Sequence, residues 1–315
     1  MARTNPRPRI AGVEALEEAA VLLTGGGIVA VPTETVYGLA ARADDPRAVA
    51  AIYRAKGRPP FNPLIVHVAD IAGARALAEV DERGEALAAA FWPGPLTVVM
   101  RRRPDAALAP AVSAGLPTVA LRSPAHPWMR SLIERTGLAL AAPSANRSGG
   151  ISPTRAAHVA ASLGEAVPLI LDGGACPQGL ESTVVAVRDR GGWEVLRLGP
   201  VTREALAAVL GAGEIAGRKG GSVEAPGQLA SHYAPTKPLR LDVFQAEADE
   251  FLIGFGAVAG AISLSPTGDL GEAAARLYDC LHRADKAPLK RIAVAPIPEE
   301  GLGGAINDRL RRAAA

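Results

Sequence analysis

The chain reads as an α/β protein of two units, and three observations predict this. Short apolar runs alternate with segments of helical spacing along most of the 315 residues. The first two runs, Ile28 to Val31 and Leu64 to Val68, are joined through one helix, which brings the polar residues at their ends to one edge of a sheet. A stretch of Gly, Ser, Lys and Pro between Gly211 and Pro238 has linker composition and precedes a shorter second part. Length alone also makes two domains the expectation.

The opening MARTNPRPRI is basic and proline-rich with no apolar core, so residues 1–9 read as a disordered start and not as a secretory leader. Ala11 to Thr24 has helical spacing, and Gly25-Gly26-Gly27 ends it. A triple glycine before a strand, with no Gly-Lys-Ser/Thr after it, is a helix stop and not a phosphate loop. The strand from Ile28 leads to Thr33, Glu34, Thr35 and Tyr37. Asp44 and Asp45 cap a helix from Pro46 to Ala55 whose end delivers Lys56 and Arg58, and Pro59-Pro60 stiffen the turn that follows. A compact ammonium beside a planar guanidinium fork suits phosphate; a pair of solvated caps on the helix dipole is the ordinary alternative. In the strand Leu64 to Val68, alternation puts His67 opposite Leu64, Val66 and Val68.

Residues 70–90 read as two helices interrupted near 80–83, followed by a rigid turn at Phe91 to Pro95 and a strand at Leu96 to Met100. Arg101 to Arg103 reads as a solvated charge run, with an RNA contact the weaker alternative. A strand from Thr118 to Leu121 ends at Arg122, and a helix over 128–135 leads to a strand from Leu138 to Ala142. That strand runs into Pro143-Ser144-Ala145-Asn146-Arg147-Ser148-Gly149-Gly150, where small side chains and glycines let backbone N–H groups approach an anion. Ser152-Pro153 reads as the N-cap and first residue of a helix over 154–163, an end that attracts phosphate. An ordinary polar loop satisfies the same composition.

A strand at 169–171 and a turn at Asp172-Gly173-Gly174 precede a hairpin, Val184 to Arg188 and Trp193 to Leu198, turning at Arg190-Gly191-Gly192. Thr202 caps a helix to Leu210. Beyond the linker, Leu239 to Phe244, Val258 to Leu264 and Arg291 to Ala295 are apolar runs separated by helical segments, which predicts a small open α/β unit with a mostly parallel sheet. Gly254, Gly256 and Gly260 lack the spacing of a dinucleotide fingerprint.

Composition narrows the function classes. Hydrophobic residues at 49% and charged ones at 21% describe a globular chain, and a net charge of +2 is too small for a general nucleic-acid surface. Aromatic residues at 4% are too few for a base-stacking platform. Cys176 and Cys280 are far apart and lack ligand spacing, against a disulfide framework or a zinc site and in keeping with a reducing cytoplasm. No apolar run has the length of a membrane span.

KGRPPFNPLIVHV followed by PSANRSGG resembles the YrdC-like fold of L-threonylcarbamoyladenylate synthases, whose paired Lys-x-Arg and Ser-x-Asn signature stands here as Lys56, Arg58, Ser144 and Asn146. VPTETVYGLA, the TVALRSP stretch at 118–124, the ESTVV stretch at 181–185 and the PGQLASHYAP stretch at 226–235 resemble the same family in its two-domain form, over roughly residues 10–236. The resemblance implies a YrdC-like twisted mixed sheet with helices plus a smaller C-terminal open α/β, Rossmann-like domain. The bounds expected are a disordered 1–9, a catalytic domain at 10–212, a linker and lid at 213–238, and a C-terminal domain at 239–315.

It also implies the reaction: L-threonine, bicarbonate or CO₂, and ATP give L-threonylcarbamoyl-AMP and pyrophosphate. The product would pass to a tRNA threonylcarbamoyl-transfer machinery that forms N6-threonylcarbamoyladenosine next to the anticodon. Lys56, Arg58, Ser144 and Asn146 are the implied catalytic residues. Asn62, Thr118, Ser152, Arg197 and Tyr233 join them around ATP, with Tyr233 on a lid that excludes water. Thr35, His67, Arg122, Ala142 and Ser182 are implied around threonine, Arg122 as a fork for its carboxylate. No Asp-x-Asp or His cluster offers a cage, so Mg²⁺ is expected to ride on the ATP phosphates. Two other classes stay open: an RNA-binding module using the cationic groove, and a carbamoyl-transferring maturation enzyme of the same fold, against which the lack of paired Cys-x-x-Cys motifs argues.

Overall fold

The computed structural model describes residues 8–188, 191–213, 223–228 and 231–315. The expectations for residues 1–7, for the turn position Arg190, and for positions 214–222 and 229–230 of the linker lie outside these. Among the described residues the strands form one sheet of ten and one of four.

The large sheet contains β1 (Arg9–Ala11), β2 (Val29–Val31), β3 (Gly38–Arg42), β4 (Ile65–His67) and β5 (Leu96–Arg101) from the first half of the chain. Its other members are β6 (Thr118–Arg122), β7 (Leu140–Ala141), β8 (Leu169–Leu171), β9 (Thr183–Val187) and β10 (Trp193–Arg197). The order β1-β8-β2-β3-β7-β4-β6-β5-β9-β10 mixes directions: β4 runs parallel to β6 and antiparallel to β7. A mixed sheet with helices is the architecture expected.

Two boundaries differ from the sequence reading. Arg9 to Ala11 is not disordered and Ala11 does not open a helix; these residues pair parallel with β8, a 3₁₀ turn at Val13–Ala15 follows, and the helix is Leu16–Thr24. The strand's partner lies far along the chain, so no local pattern announces it. The helix after the Ser144 loop begins at Ala156 and not at Thr154, so Ser152-Pro153 does not cap it. A serine hydroxyl serves a buried carboxylate as well as a helix end, and here it goes to Glu181.

The helix Pro46–Lys56 forms as its caps dictate. Asp45 accepts from the Arg47 N–H, Pro46 fills the first turn, and Ala48, Val49 and Ile52 bury its apolar face. Gly57 stops it in the left-handed conformation, φ 61°, which glycine adopts without Cβ strain. The Arg58 N–H then bonds the Tyr53 carbonyl, and the side chain turns inward.

One face of the large sheet packs Leu39, Val66, Val98 and Leu121 against Ile52 and Leu87, and the other packs Val29, Val31 and Leu140 against Leu16, Leu23 and Leu132. A smaller patch of Ile65, Val99, Ala120, Val184 and Ala186 is covered by Ala225, so the segment 223–228 lies across it.

The second sheet holds β11 (Leu239–Arg240), β12 (Glu250–Gly254), β13 (Ile262–Ser263) and β14 (Arg291–Val294), in the order β11-β14-β12-β13 with every pair parallel. The sequence reading gave three apolar runs and missed β12. Glu250 disguises that strand: it is buried, and Arg240 bonds it through two nitrogens at 2.8 and 2.6 Å. The helices Leu270–Lys286 and Leu302–Ala313 supply Leu277, Tyr278 and Ile306 to one core with Val36, Ile151 and Leu180 of the first unit. The two units therefore meet through a shared apolar core beside the strand ends of the large sheet.

Gly199, just after β10, lies so close to β9 that a Cβ would stand 2.5 Å from the Thr183 nitrogen and 2.6 Å from the Glu181 oxygen. Gly199→Ala is expected to lower stability by ~1–3 kcal/mol in urea denaturation, the usual cost of overpacking. A loss below ~0.5 kcal/mol, the range of neutral surface changes, would contradict this close packing.

Candidate active site

The ends of β4 and β6 set the site. His67 and Arg122 are register partners there, and an isolated bridge between Gly38 and Ser144 draws the Thr33–Val36 turn against the Ser144 loop. A cavity of about 40 Å³ lies between these elements, lined by Thr35, Arg58, His67, Arg122, Ala142, Ser144, Ser182 and Arg197, with Pro226, Gly227, His232 and Tyr233 closing it.

One end of the site is cationic, its cations bonded by neutral oxygens. The Lys56 ammonium donates to the carbonyls of Ser144 and Asn146, at 2.5 Å each. Arg58 donates to the Asn62 carbonyl at 3.0 Å, to Asn62 Oδ1 at 2.6 Å and to the Pro63 carbonyl at 2.7 Å. Arg197 donates to the Ser182 carbonyl and hydroxyl and to the Pro226 carbonyl. All three are buried, and among the described residues no carboxylate bonds any of them. Burial, then the Arg58 charge, holds Lys56 well below its usual range, and burial pulls Arg58 down to about 10. A pocket walled by Arg58 and Arg197, with Lys56 behind them, all on neutral oxygens, suits an anion.

Arg122 forms the other end. It donates to the Gly94 carbonyl at 3.1 Å, to Thr35 Oγ1 at 3.0 Å and to Glu34 Oε1 at 2.6 Å, all buried. The turn at Phe91 to Pro95, read from sequence as structural, thus helps to aim this arginine. Burial raises the Glu34 carboxyl, but the charge and hydrogen bond of Arg122 outweigh it and leave Glu34 below its usual value. Burial, then the Arg122 charge, lowers the His67 imidazole to about 3, so the ring is neutral at physiological pH. Buried polar atoms without partners cluster here: Glu34 Oε2, Asn62 Nδ2, His67 Nδ1, Asn146 Oδ1 and the Tyr233 hydroxyl. Each is a group that a bound molecule or water would satisfy.

With this geometry in view, comparison with known proteins is decisive. A family model described as "Telomere recombination" matches residues 21–199, and one described as "Threonylcarbamoyl-AMP synthase, C-terminal domain" matches 201–315. The chain is 41% identical to the threonylcarbamoyl-AMP synthase of Bacillus subtilis over 95% of its own length and 92% of the relative's. It belongs to the threonylcarbamoyl-AMP synthase family. The Pyrococcus abyssi member is 39% identical over 94% of this chain and 92% of its own. A crystal structure of the P. abyssi protein complexed with L-threonine superposes with a TM-score of 0.89, at 35% identity and 97% coverage of both chains. The second family model carries the likeness through residue 315, beyond the roughly 10–236 where the sequence motifs carry it and into the segment that resembles the family only loosely.

Of the positions that the synthase resemblance singled out, Thr35, Arg58, His67, Arg122, Ala142, Ser144, Ser182, Arg197 and Tyr233 line one cavity. Lys56, Asn62, Asn146 and Ser152 stand behind its wall: Lys56 and Asn146 fix the Ser144 loop, Asn62 fixes Arg58, and Ser152 donates to Glu181 Oε1 at 2.5 Å. Thr118 is not among the lining residues. It lies at the far end of β6 from Arg122, on the same strand face by alternation.

Sequence reasoning gave no role to Glu34, Glu181, Arg309 or Tyr278. Glu34 sits in the hydroxyl cluster and Glu181 in the ESTVV stretch, so both stood in motifs already marked. Arg309 and Tyr278 carried no local signal. Glu181 is buried, which raises its carboxyl, yet Arg309, Arg197 and Ser152 together hold it at about 2. The folded value lies below the ordinary 4.5, so the stability this group contributes is complete above that pH and is lost as pH falls toward 2. Urea denaturation at about pH 5 and about pH 3 is expected to show a steeper acid loss for the wild type than for Glu181→Gln. Equal slopes would remove Glu181 from the acid response.

Proposed function

We propose that this protein condenses L-threonine, bicarbonate or CO₂, and ATP into L-threonylcarbamoyl-AMP and pyrophosphate, as the names of its relatives describe. The observation that carries the reading is the pair of ends in one cavity: buried cations on neutral oxygens at one side, and the Arg122 fork with the Thr35 hydroxyl at the other. A polyphosphate suits the first and an α-amino acid carboxylate the second.

In this reading the threonine amine captures CO₂, forming a C–N bond and releasing a proton. A carbamate oxygen then forms a bond to the α-phosphorus while the bond from that phosphorus to the pyrophosphate oxygen breaks. Arg122, Thr35, His67, Ala142 and Ser182 hold threonine. Arg58, Arg197, Ser144 and Tyr233 face the triphosphate, with Lys56, Asn62, Asn146 and Ser152 fixing them and Thr118 extending the same sheet face toward the nucleoside. The chain's task is to bring amine and phosphorus together and to stabilise charge on the leaving pyrophosphate. An imidazole whose conjugate acid lies near 3 is a poor base for an ammonium, so His67 orients substrate and bicarbonate or a phosphate oxygen takes the proton.

Mg²⁺ bound to ATP would neutralise part of the phosphate charge beside Arg58 and Arg197. Among the described residues no group of three His, Cys, Asp or Glu side chains could hold it, and Glu34 and Glu181 are each engaged by an arginine. The product serves tRNA threonylcarbamoyladenosine formation next to the anticodon, through separate transfer machinery, in the cytoplasm. Among the described residues no helix is long and apolar enough to cross a membrane.

Pyrophosphate release by the purified chain with Mg²⁺, ATP, bicarbonate and L-threonine is expected to stop when any one substrate is omitted. Release without threonine would transfer the reading to another nucleotide-dependent carbamoyl chemistry, and RNA binding without turnover to a binding module. Arg122→Ala is expected to raise the threonine KM about tenfold or more, the equivalent of a lost charged hydrogen bond, with the ATP KM within about twofold. An unchanged threonine KM would take the carboxylate away from Arg122.

In this reading Pro226, Gly227 and Tyr233, which line the cavity, act as its lid over ATP. A Cβ on Gly227 would stand 2.7 Å from Arg197 Cδ and 2.8 Å from the Tyr233 hydroxyl. Gly227 also sits at φ 91°, so Gly227→Ala is expected to lower kcat about tenfold or more together with some loss of melting temperature. Undiminished kcat would show that close seating is not required.

A further inference from the structure

Arg309 belongs to the helix Leu302–Ala313 of the C-terminal unit, yet its side chain is fully buried against the active-site wall. Its Nε donates to Glu181 Oε2 at 2.9 Å, Nη2 to the Leu198 carbonyl at 2.7 Å, and Nη1 to Asp308 Oδ2 at 2.8 Å. Its guanidinium carbon stands 5.2 Å from the centroid of the Tyr233 ring, within cation–π range. Tyr278 of the same unit donates its hydroxyl to the same Glu181 oxygen at 2.9 Å. One side chain from the C-terminal helix thus touches two residues of the cavity wall that come from distant parts of the chain.

Each of those two contacts bears on an anionic ligand. Glu181 brings a negative charge to a wall whose neighbours are Arg58 and Arg197, and an unpaired carboxylate there would repel a triphosphate. Arg309 pairs that charge from behind, on the side away from the cavity. Tyr233 has φ 65°, a left-handed conformation that a bulky residue keeps only when its surroundings hold it. The ring is gripped between Arg309 on one side and its contacts with Tyr278 and His232, whose centroids lie 5.8 and 4.1 Å away.

We infer that Arg309 is a positioning residue for the nucleotide half of the site: it keeps Glu181 neutralised and Tyr233 seated, so that ATP binding depends on the C-terminal unit. The inference rests on the proposed synthase reading, which assigns that half to ATP. It makes the second domain part of the nucleotide site through a buried guanidinium.

The test uses the full chain as wild type, Arg309→Met, Arg309→Lys and the double variant Arg309→Met with Glu181→Gln. Titration calorimetry with Mg·ATP gives nucleotide affinity, pyrophosphate release gives the KM for ATP and for threonine, and thermal melting checks the fold. Arg309→Met is expected to weaken ATP about tenfold or more, with the threonine KM within about twofold. Glu181→Gln in that background is expected to restore much of the ATP affinity, because the repelling charge is gone. Arg309→Lys should fall between wild type and Met. A lower melting temperature with unchanged ATP affinity would reduce Arg309 to an interface residue and overturn the inference, as would equal rises in both KM values. Should Arg309→Met fail to fold, Arg309→Lys decides alone: ATP weakened about threefold or more supports the inference, and unchanged ATP affinity overturns it. Wild type that binds ATP without threonine-dependent release overturns the synthase reading and leaves the Arg309 comparison intact. Wild type that binds no ATP overturns both.

Discussion

Burying a cation without a bonded carboxylate costs several kcal/mol, and this protein does so three times around one cavity. Lys56, Arg58 and Arg197 are held by backbone carbonyls, one side-chain amide and one hydroxyl, each contributing part of a negative charge. Much of the surrounding fold serves that arrangement. Gly57 turns the chain so that Arg58 points inward, the Ser144 loop offers its carbonyls to Lys56, and the β9–β10 hairpin sets Arg197 beside Ser182. An anion of high negative charge at this wall would offset that desolvation cost.

The two carboxylates nearest the cavity are treated in the opposite way. Glu34 is bonded by Arg122 and Glu181 by Arg309, so neither adds free negative charge to the wall. The partners differ in origin. Arg122 comes from β6 of the large sheet, and Arg309 from the last helix of the C-terminal unit. The Arg122 end is therefore complete within one unit, whereas the Glu181 wall takes a guanidinium and a tyrosine hydroxyl from the other. The shared apolar core of Val36, Ile151, Leu180, Tyr278 and Ile306 makes that loan structurally firm.

Local signals in the chain were strong where one residue type does one thing. The Asp45 cap, the Gly57 stop, the Thr202 cap and the alternation that sends His67 and Ile65 to the cavity face were all readable, because each rests on a backbone conformation or a period of two. Signals failed where a residue had two uses. Ser152 looked like a helix cap and serves Glu181, Glu250 fell between apolar runs in a segment read as helical and lies in a strand, and Arg9 looked disordered and Ala11 helical although both pair with β8. In each case the deciding partner is distant in sequence.

By itself the sequence determined the α/β class, the order of most elements, the two-unit organisation and most of the motif residues that gather at one cavity. It could do so because caps, periodicity and motif spacing are properties of neighbours along the chain. Only the tertiary structure decided which marked residues face the cavity and which stand behind it, that Glu34 and Glu181 are each neutralised by an arginine, and that Arg309 reaches the site from the far end of the chain. Those are facts of distance and burial, set when strands that are remote in sequence take neighbouring places in one sheet and a second unit closes over their ends.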